Sequence, residues 1–351
     1  MRILGIETSC DETSAAVVEG EGDHASQRSL VILSQDVHRI FGGVVPEIAS
    51  RAHLTAIVPV VRQALSEAST ELSDIDAIAV TNAPGLVGAL LVGVSFAKSL
   101  AFVLDVPVIG VHHMEGHLFA ASLEVKDAVP PFTALLVSGG HTMIVDVPEW
   151  GVYNVLGRTR DDAAGEAFDK VGKLLGLPYP GGPQVERLAK TAGAPVVRYS
   201  PPMLRRDQRL GTPDYFDVSF SGLKTAVLNS VRGKTAGGAT LSDAERADLA
   251  RAFQDALIGT LVGKTERAVN AFNRTRVVIA GGVAANRTLG EALRTRLAPN
   301  GVTVIAPSIR LSTDNAAMIA RAGLFHLERG SRSDLDLTAY AAQPLPGAIP
   351  A

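Results

Sequence analysis

The chain has one cysteine, Cys10, in 351 residues. That excludes an intrachain disulfide framework and leads us to expect a reducing, cytoplasmic setting. Aromatic residues make up only 5 % and the formal net charge is −3, so the surface is not basic as a whole. Any contact with nucleic acid must come from a local patch. No signal peptide is read at the start, because Arg2-Ile3-Leu4-Gly5-Ile6-Glu7 reaches a carboxylate before an apolar segment of useful length forms. Long uninterrupted hydrophobic runs are also missing. Residues 77–97 carry no charge, but Pro84, Gly85, Gly88 and Gly93 break them. They read as a strand, a turn and a buried helix, and no membrane partner is expected.

A hydrophobic content of 46 % with 20 % charge fits a folded protein long enough for two lobes. Residues 2–8, 15–18 and 30–33 read as strands, with a helix over 47–66, a strand over 76–81, a helix from about 86 and a strand over 106–111. At Phe132 the pattern starts again. Strands are expected over 132–137, 142–147 and 152–156, then 277–280 and 303–306, with helices over 284–297 and 314–329. Two copies of strand–turn–strand–strand followed by alternating helices and strands predict a duplicated α/β protein. The expected division is 1–112 and 113–351, the second lobe carrying a mostly helical insertion at about 161–273.

Chemistry concentrates in a few motifs. His113 and His117 lie four apart and share one helix face, so they can grip one metal ion, while His112 points elsewhere. A third ligand must come from a distant segment, and Asp314 at a predicted helix start is a suitable carboxylate. Two imidazoles and a carboxylate suit iron, zinc or manganese. Ser138-Gly139-Gly140-His141-Thr142, Thr8-Ser9-Cys10-Asp11-Glu12 and Gly281-Gly282 are turns after strands whose amides could cradle phosphate. In the stretch from Asp161 to Lys170, Asp161 or Asp162 is expected to cap a helix and Asp169 to face a ligand. Pro180-Gly181-Gly182-Pro183 reads as a rigid turn whose glycines could face a nucleotide sugar. Arg187, Lys190, Arg198, Arg205, Arg206 and Arg209 are the best candidate RNA-facing group.

Taken in order, Gly5–Thr13, Gly42–Glu47, Pro84–Leu86, His112–His117, Leu136–Thr142, Asp161–Lys170, Tyr179–Pro183, Ser219–Lys224, Gly281–Asn286 and Thr313–Asn315 resemble the tRNA N6-adenosine threonylcarbamoyltransferase family over nearly the whole chain. The resemblance implies an actin-like ATPase (ASKHA) fold of two duplicated lobes with a nucleotide and metal cleft between them. It implies transfer of the threonylcarbamoyl group from threonylcarbamoyl-AMP to the N6 amine of the adenosine 3′ of the anticodon, in tRNAs reading codons that begin with A. His113, His117 and Asp314 correspond to the metal ligands, with iron the expected ion and Asp314 closing the site across the cleft. Leu136, Val137, Ser138, Gly139, Gly140, Asp169, Gly182, Glu186 and Asn286 correspond to the set that binds the adenylate, or ATP or ADP. Asp11 and Glu12 are candidates for proton removal or metal hydration. A paralogous non-catalytic subunit and a small ATPase are the implied protein partners, with tRNA as substrate.

Ala83 and Ala52 depart from the family pattern, away from these positions. A metalloprotease is a rival reading, but in His113-Met114-Glu115-Gly116-His117 the glutamate comes one place too late for His-Glu-x-x-His. A small-molecule kinase or ATPase on the same fold is the other rival. It would hold Mg²⁺ with carboxylates and need no histidine pair.

Overall fold

The computed structural model describes residues 1–212 and 214–349. Two compact units form: Met1–Val129 with Pro307–Ala348, and Pro130–Ala306. In chain order the first contains β1 (Arg2–Glu7), β2 (Glu12–Glu21), β3 (His24–Ser34), α1 (Pro46–Glu67), β4 (Ala77–Ala83), α2 (Val87–Leu104), β5 (Val108–His112) and α3 (His113–Ala120). The second contains β6 (Phe132–Val137), β7 (Thr142–Glu149), β8 (Val152–Arg158), α4 (Ala164–Leu174), α5 (Gly181–Ala189), α6 (Ser221–Lys234), α7 (Asp243–Phe272), β9 (Arg276–Ala280), α8 (Arg287–Leu297) and β10 (Thr303–Ile305). The chain then returns to the first unit as α9 (Ile309–Ser312) and α10 (Ala316–Glu328).

The first sheet runs β3-β2-β1-β4-β5, and the second contains β8-β7-β6-β9-β10. In each, the first strand pairs antiparallel with the second and parallel with the fourth. The duplication expected from element order is therefore present strand for strand.

In the first unit β1 is buried on both faces, which is why it reads as a continuous apolar run. Leu4 and Ile6 pack with Ala15 and Val17 against Ile57, Val60 and Val61 of α1 and Val94 and Ala97 of α2. The opposite face receives α10, rich in alanine. A Cβ on Gly5 would collide with the Ala316 carbonyl, and one on Gly323 with the Ala79 side chain, so helix and sheet approach to a distance only glycine allows. α2 is long and apolar enough to cross a membrane by length and composition, and its Ala89, Leu90, Val94, Ala97 and Ala101 are buried in this unit. The core of the second unit joins Leu135, Val137, Val277 and Ile279 to Phe168, Val185, Val227, Phe253 and Leu257 of α4 to α7. Those four helices fill the expected insertion.

The boundary expected between residues 112 and 113 lies elsewhere. α3 stays with the sheet it follows, and α10 rejoins that sheet from the far end of the chain. Strand periodicity gives no signal for such a return, because the packing partner lies some three hundred positions upstream.

Candidate metal and nucleotide sites

β5 ends at His112, and the chain turns directly into α3. His112 caps the helix: its Nδ1 accepts the Met114 amide at 3.2 Å, while Nε2 donates to the Gln343 carbonyl at 3.1 Å. This leaves His113 and His117 on the same face, with ring centroids 4.8 Å apart and planes at 85°. Asp314 arrives between α9 and α10, fixed by its neighbour Asn315. Asn315 caps α10 through Oδ1 to the Met318 amide and donates Nδ2 to the Leu311 and Thr313 carbonyls. Asp314 Oδ1 lies 3.3 Å from His113 Nε2 and 3.2 Å from His117 Nε2. All three residues belong to the first unit, so Asp314 reaches the histidines from within their own unit and not across a cleft.

The electrostatics explain why the trio is compatible with a cation. His113 Nδ1 faces Glu7 Oε2 at 2.9 Å, so that nitrogen carries the proton and Nε2 can offer a lone pair. Lone pairs on two Nε2 atoms and one carboxylate oxygen, with all three ligand atoms within 4.8 Å of one another, converge on one point. Without an ion, one or both imidazoles must hold a proton there. Burial works against a charged His113, but Asp314 and Glu7 outweigh it and hold its pKa well above the ordinary value. Burial pushes His117 down, and its Nδ1 is buried without a hydrogen-bond partner. For Asp314, burial is more than offset by His113 and His117, which press its carboxyl below the usual range. Glu12 stands apart: burial, Asp314 and Asp11 raise it to about 9.

Glu115 is not part of this group. It is buried and meets His326 Nε2 at 2.9 Å, so it does not face the histidine pair as a protease glutamate would.

The second unit gathers the nucleotide candidates at the carboxyl ends of β6 and β9. Leu136 and Val137 are fully buried and can offer a ligand only backbone. Ser138 closes the turn: its amide donates to the His141 carbonyl at 2.8 Å and its Oγ accepts the His141 amide at 3.1 Å. Gly139 and Gly140 are exposed, with open space where a Cβ would stand. Two further glycines press on this turn. A Cβ on Gly165, at the start of α4, would lie 2.7 Å from the Ser138 carbonyl. One on Gly281 would lie 2.5 Å from that of Val137. Asp169 accepts the Gly181 amide at 2.7 Å, and burial raises its pKa despite that bond and one from Gly182. Glu186 pairs with Lys190 at 2.9 Å and lies 3.5 Å from Thr288 Oγ1 of α8. Asn286 caps α8 through the Leu289 amide at 3.0 Å and donates to Gln254 at 3.3 Å. Asp161 caps the distant α6 and not the helix just after it, accepting from Ser219, Phe220 and Ser221. The Thr142 hydroxyl takes the first amide of α4 instead, at 2.8 Å.

With both sites in view, the likenesses to known proteins are specific. The family model described as tRNA N6-adenosine threonylcarbamoyltransferase matches residues 28–321. A protein of that name from Gemmatimonas aurantiaca is 63 % identical over 99 % of this chain and 98 % of its own. Another from Magnetococcus marinus is 49 % identical over 95 % and 94 %. The chain belongs to the tRNA N6-adenosine threonylcarbamoyltransferase family. Among solved structures, HypF of T. kodakarensis superposes with a TM-score of 0.61 at 13 % identity over 93 % of this chain, which spans 48 % of HypF. Component A of the Acidaminococcus fermentans (R)-2-hydroxyglutaryl-CoA dehydratase gives 0.53 at 13 % over 94 % and 98 %. The fold is the actin-like ATPase one, as the duplicated sheets require.

For this family member the motifs fall into two groups: the histidine pair with Asp314, Asp11 and Glu12 in the first unit, and the glycine turn with Asp169, Gly182, Glu186 and Asn286 in the second. Motif reading gave Glu7, Ser9 and Thr81 no role beside His113, where they form the polar network behind its Nδ1. A signal was available: a carboxylate ending a fully apolar strand must find a partner when the strand is buried.

Proposed function

We propose that this protein transfers the threonylcarbamoyl group from threonylcarbamoyl-AMP to the N6 amine of the adenosine 3′ of the anticodon, in tRNAs reading codons that begin with A. The observation that carries the reading is the convergence of His113, His117 and Asp314 in a chain of this family. The reaction is acyl transfer to a weak nucleophile, since the adenine amine is delocalised into its ring. The donor is therefore a mixed anhydride, the new bond forms from N6 to the carbamoyl carbon, and AMP leaves. A divalent cation, iron by family resemblance, would supply Lewis-acid polarisation at the two histidines and Asp314.

The remaining tasks fall to the chain. The amides of the exposed Gly139 and Gly140 and the start of α4 suit the adenylate phosphate, and Gly182, Asp169 and Glu186 suit its ribose and base. Asn286 acts by holding the start of α8, since its side chain is committed to Leu289 and Gln254. Glu12 and Asp11 are the candidate proton acceptors for N6, Glu12 only when it gives up the proton that burial, Asp314 and Asp11 hold on it near pH 7.

For tRNA, the loop from Arg205 to Tyr215 is the favoured surface. Lys264 donates to the carbonyls of Asp214 and Tyr215, and Arg267 to those of Arg205 and Tyr215. Two cations are thus spent on holding the backbone, and Arg206 and Arg209 stand exposed at its rim. For the paralogous subunit, the packed helices α1 and α2 leave Leu54, Val58, Val87 and Leu91 exposed, an apolar surface suited to a helical partner. The small ATPase has no surface assigned to it. The test is to incubate purified protein and its partner subunits with threonylcarbamoyl-AMP and unmodified tRNA, then analyse the nucleosides by mass spectrometry. Failure of wild type and Asp314→Asn alike to form threonylcarbamoyl-adenosine would refute the assignment.

A further inference from the structure

Glu7 is a buried carboxylate to which the proposed reaction gives no task. It ends β1, its side chain is fully enclosed, and each of its oxygens is committed. Oε1 accepts the Ser9 amide. Oε2 accepts the Thr81 hydroxyl at 2.6 Å and faces His113 Nδ1 at 2.9 Å. The Ser9 hydroxyl also lies 3.2 Å from the same nitrogen. β1, β4 and β5 are adjacent parallel strands; Glu7 ends β1, Thr81 lies near the carboxyl end of β4 and His113 follows β5 directly. Glu7 and Thr81 thus form a polar link across neighbouring strands that ends at the Nδ1 side of His113, away from Asp314.

We infer that Glu7 is the positioning residue for His113, fixing its ring and its Nδ1–H tautomer so that Nε2 offers a lone pair to a divalent cation held with His117 and Asp314. This rests on the metal reading of those three residues. Glu7 cannot be a ligand itself, because its oxygens are turned to Ser9, Thr81 and Nδ1. A carboxylate behind a ligating imidazole orients the ring and makes it a stronger donor. The asymmetry with His117 sharpens the point. His117 has no such brace at Nδ1 among the described residues, so the site contains one imidazole fixed from behind and one tied only through Nε2 to Asp314. Glu7 also explains how a carboxylate is tolerated at the end of a buried strand: its charge is matched by the imidazole N–H and two further donors.

The test uses the full-length protein, freed of metal and titrated with Co²⁺, whose visible spectrum reports ligand geometry. Wild type is expected to bind one ion, and Glu7→Gln to bind it about 10- to 100-fold more weakly with an altered spectrum. Glu7→Asp should recover part of the loss. Nitrogen-15 NMR of the wild-type histidines supplies a readout that needs no variant: in the metal-loaded protein, His113 should carry its proton on Nδ1. If wild type binds Co²⁺ but Glu7→Gln matches it in affinity and spectrum, or if the proton sits on Nε2, the positioning role is overturned while the metal reading stands. If wild type takes up no ion, the metal reading fails and the role of Glu7 falls with it. Should metal-free Glu7→Gln not fold, Thr81→Val, which removes one support of Oε2, is expected to weaken Co²⁺ several-fold. Unchanged affinity there would count against the inference.

Discussion

Metal binding should release about one proton per ion at pH 7. Around the candidate site His113 is protonated, held up by Asp314 and Glu7 against the effect of burial. His117 is neutral because burial depresses it, and Asp314 and Glu7 are ionised. A cation must take the Nε2 lone pair of His113, so the proton there leaves while the one shared with Glu7 stays. Glu12, at about 9, is also protonated near neutrality. Burial is the largest cause of its shift and persists when a cation compensates Asp314, so it keeps its proton. Affinity should then rise about tenfold per pH unit until the pH passes the raised pKa of His113.

Stability follows the same groups. The folded pKa of His113 lies above its ordinary 6.5, so its contribution is complete below 6.5 and is lost as pH rises through the raised value. Asp314 and Glu7 lie below their ordinary 3.8 and 4.5, so their contributions are present above those values and are lost as pH falls. Metal-free protein should be most favoured by this cluster between pH 4.5 and 6.5 and should lose stability above it. Metal-loaded protein should not show the alkaline loss. Calorimetric titration of Zn²⁺ in two buffers of different ionisation enthalpy counts the protons. A count of zero would mean His113 is neutral, and two would mean that His117 also starts protonated or that Glu12 gives up its proton on binding. Either refutes the reasoning.

Three further outcomes are expected. Gly165→Ala puts a Cβ 2.7 Å from the Ser138 carbonyl and 2.8 Å from Gly139 Cα, both backbone. It should cost about 1–3 kcal/mol in thermal or urea denaturation and weaken adenylate binding. Phe253→Ala removes a fully buried ring stacked edge-on against Phe168 at 5.3 Å, and should cost about 3–5 kcal/mol by the same measurement. Arg206→Glu with Arg209→Glu should weaken tRNA binding and lower the slope of log affinity against log salt by about 0.7–0.9 per lost phosphate contact. Binding of the adenylate should be unchanged, and an unaltered salt slope would move the tRNA surface elsewhere.

Much of this was legible in the sequence, for physical reasons that also mark where reading failed. Apolar runs closed by polar or glycine-rich turns mark the buried strands, so the duplication and most strands could be read along the chain, while α4 to α7 were legible only as one mostly helical stretch. The histidine pair was legible because helix geometry converts a spacing of four into a shared face. The cap of α4 was expected from Asp161 or Asp162 because acids in a first turn normally serve their own amides, but the Thr142 hydroxyl takes the first amide of α4 and Asp161 serves α6. The unit boundary was misplaced because α10 packs on β1 from the other end of the chain, and the small residues that permit it, Gly5 and Gly323, look unremarkable one at a time. Glu7 was missed for a related reason. Its partner lies 106 positions away, and only the folded sheet sets β1 beside β4 and β5.

The duplication itself argues for a division of labour. The β1–β2 and β6–β7 connections occupy equivalent places in the two sheets and each spans four residues, Thr8–Asp11 and Ser138–His141. By sequence both turns suit a phosphate cradle. In the second unit the strand ends on Val137, and the turn exposes Gly139 and Gly140 with open space beside both. In the first unit the equivalent strand position is Glu7, which consumes the Ser9 amide, while the Ser9 carbonyl takes the Leu86 amide at 2.8 Å. That loop has little backbone left for phosphate and presents Asp11 and Glu12 instead. Val137 shows what the scaffold tolerates by default at the end of its central strand: an apolar side chain with no desolvation cost. A carboxylate at the matching position is costly unless something charged answers it, and His113 does. On one scaffold, glycine suits a turn to an anion and a buried acid suits the other to a cation.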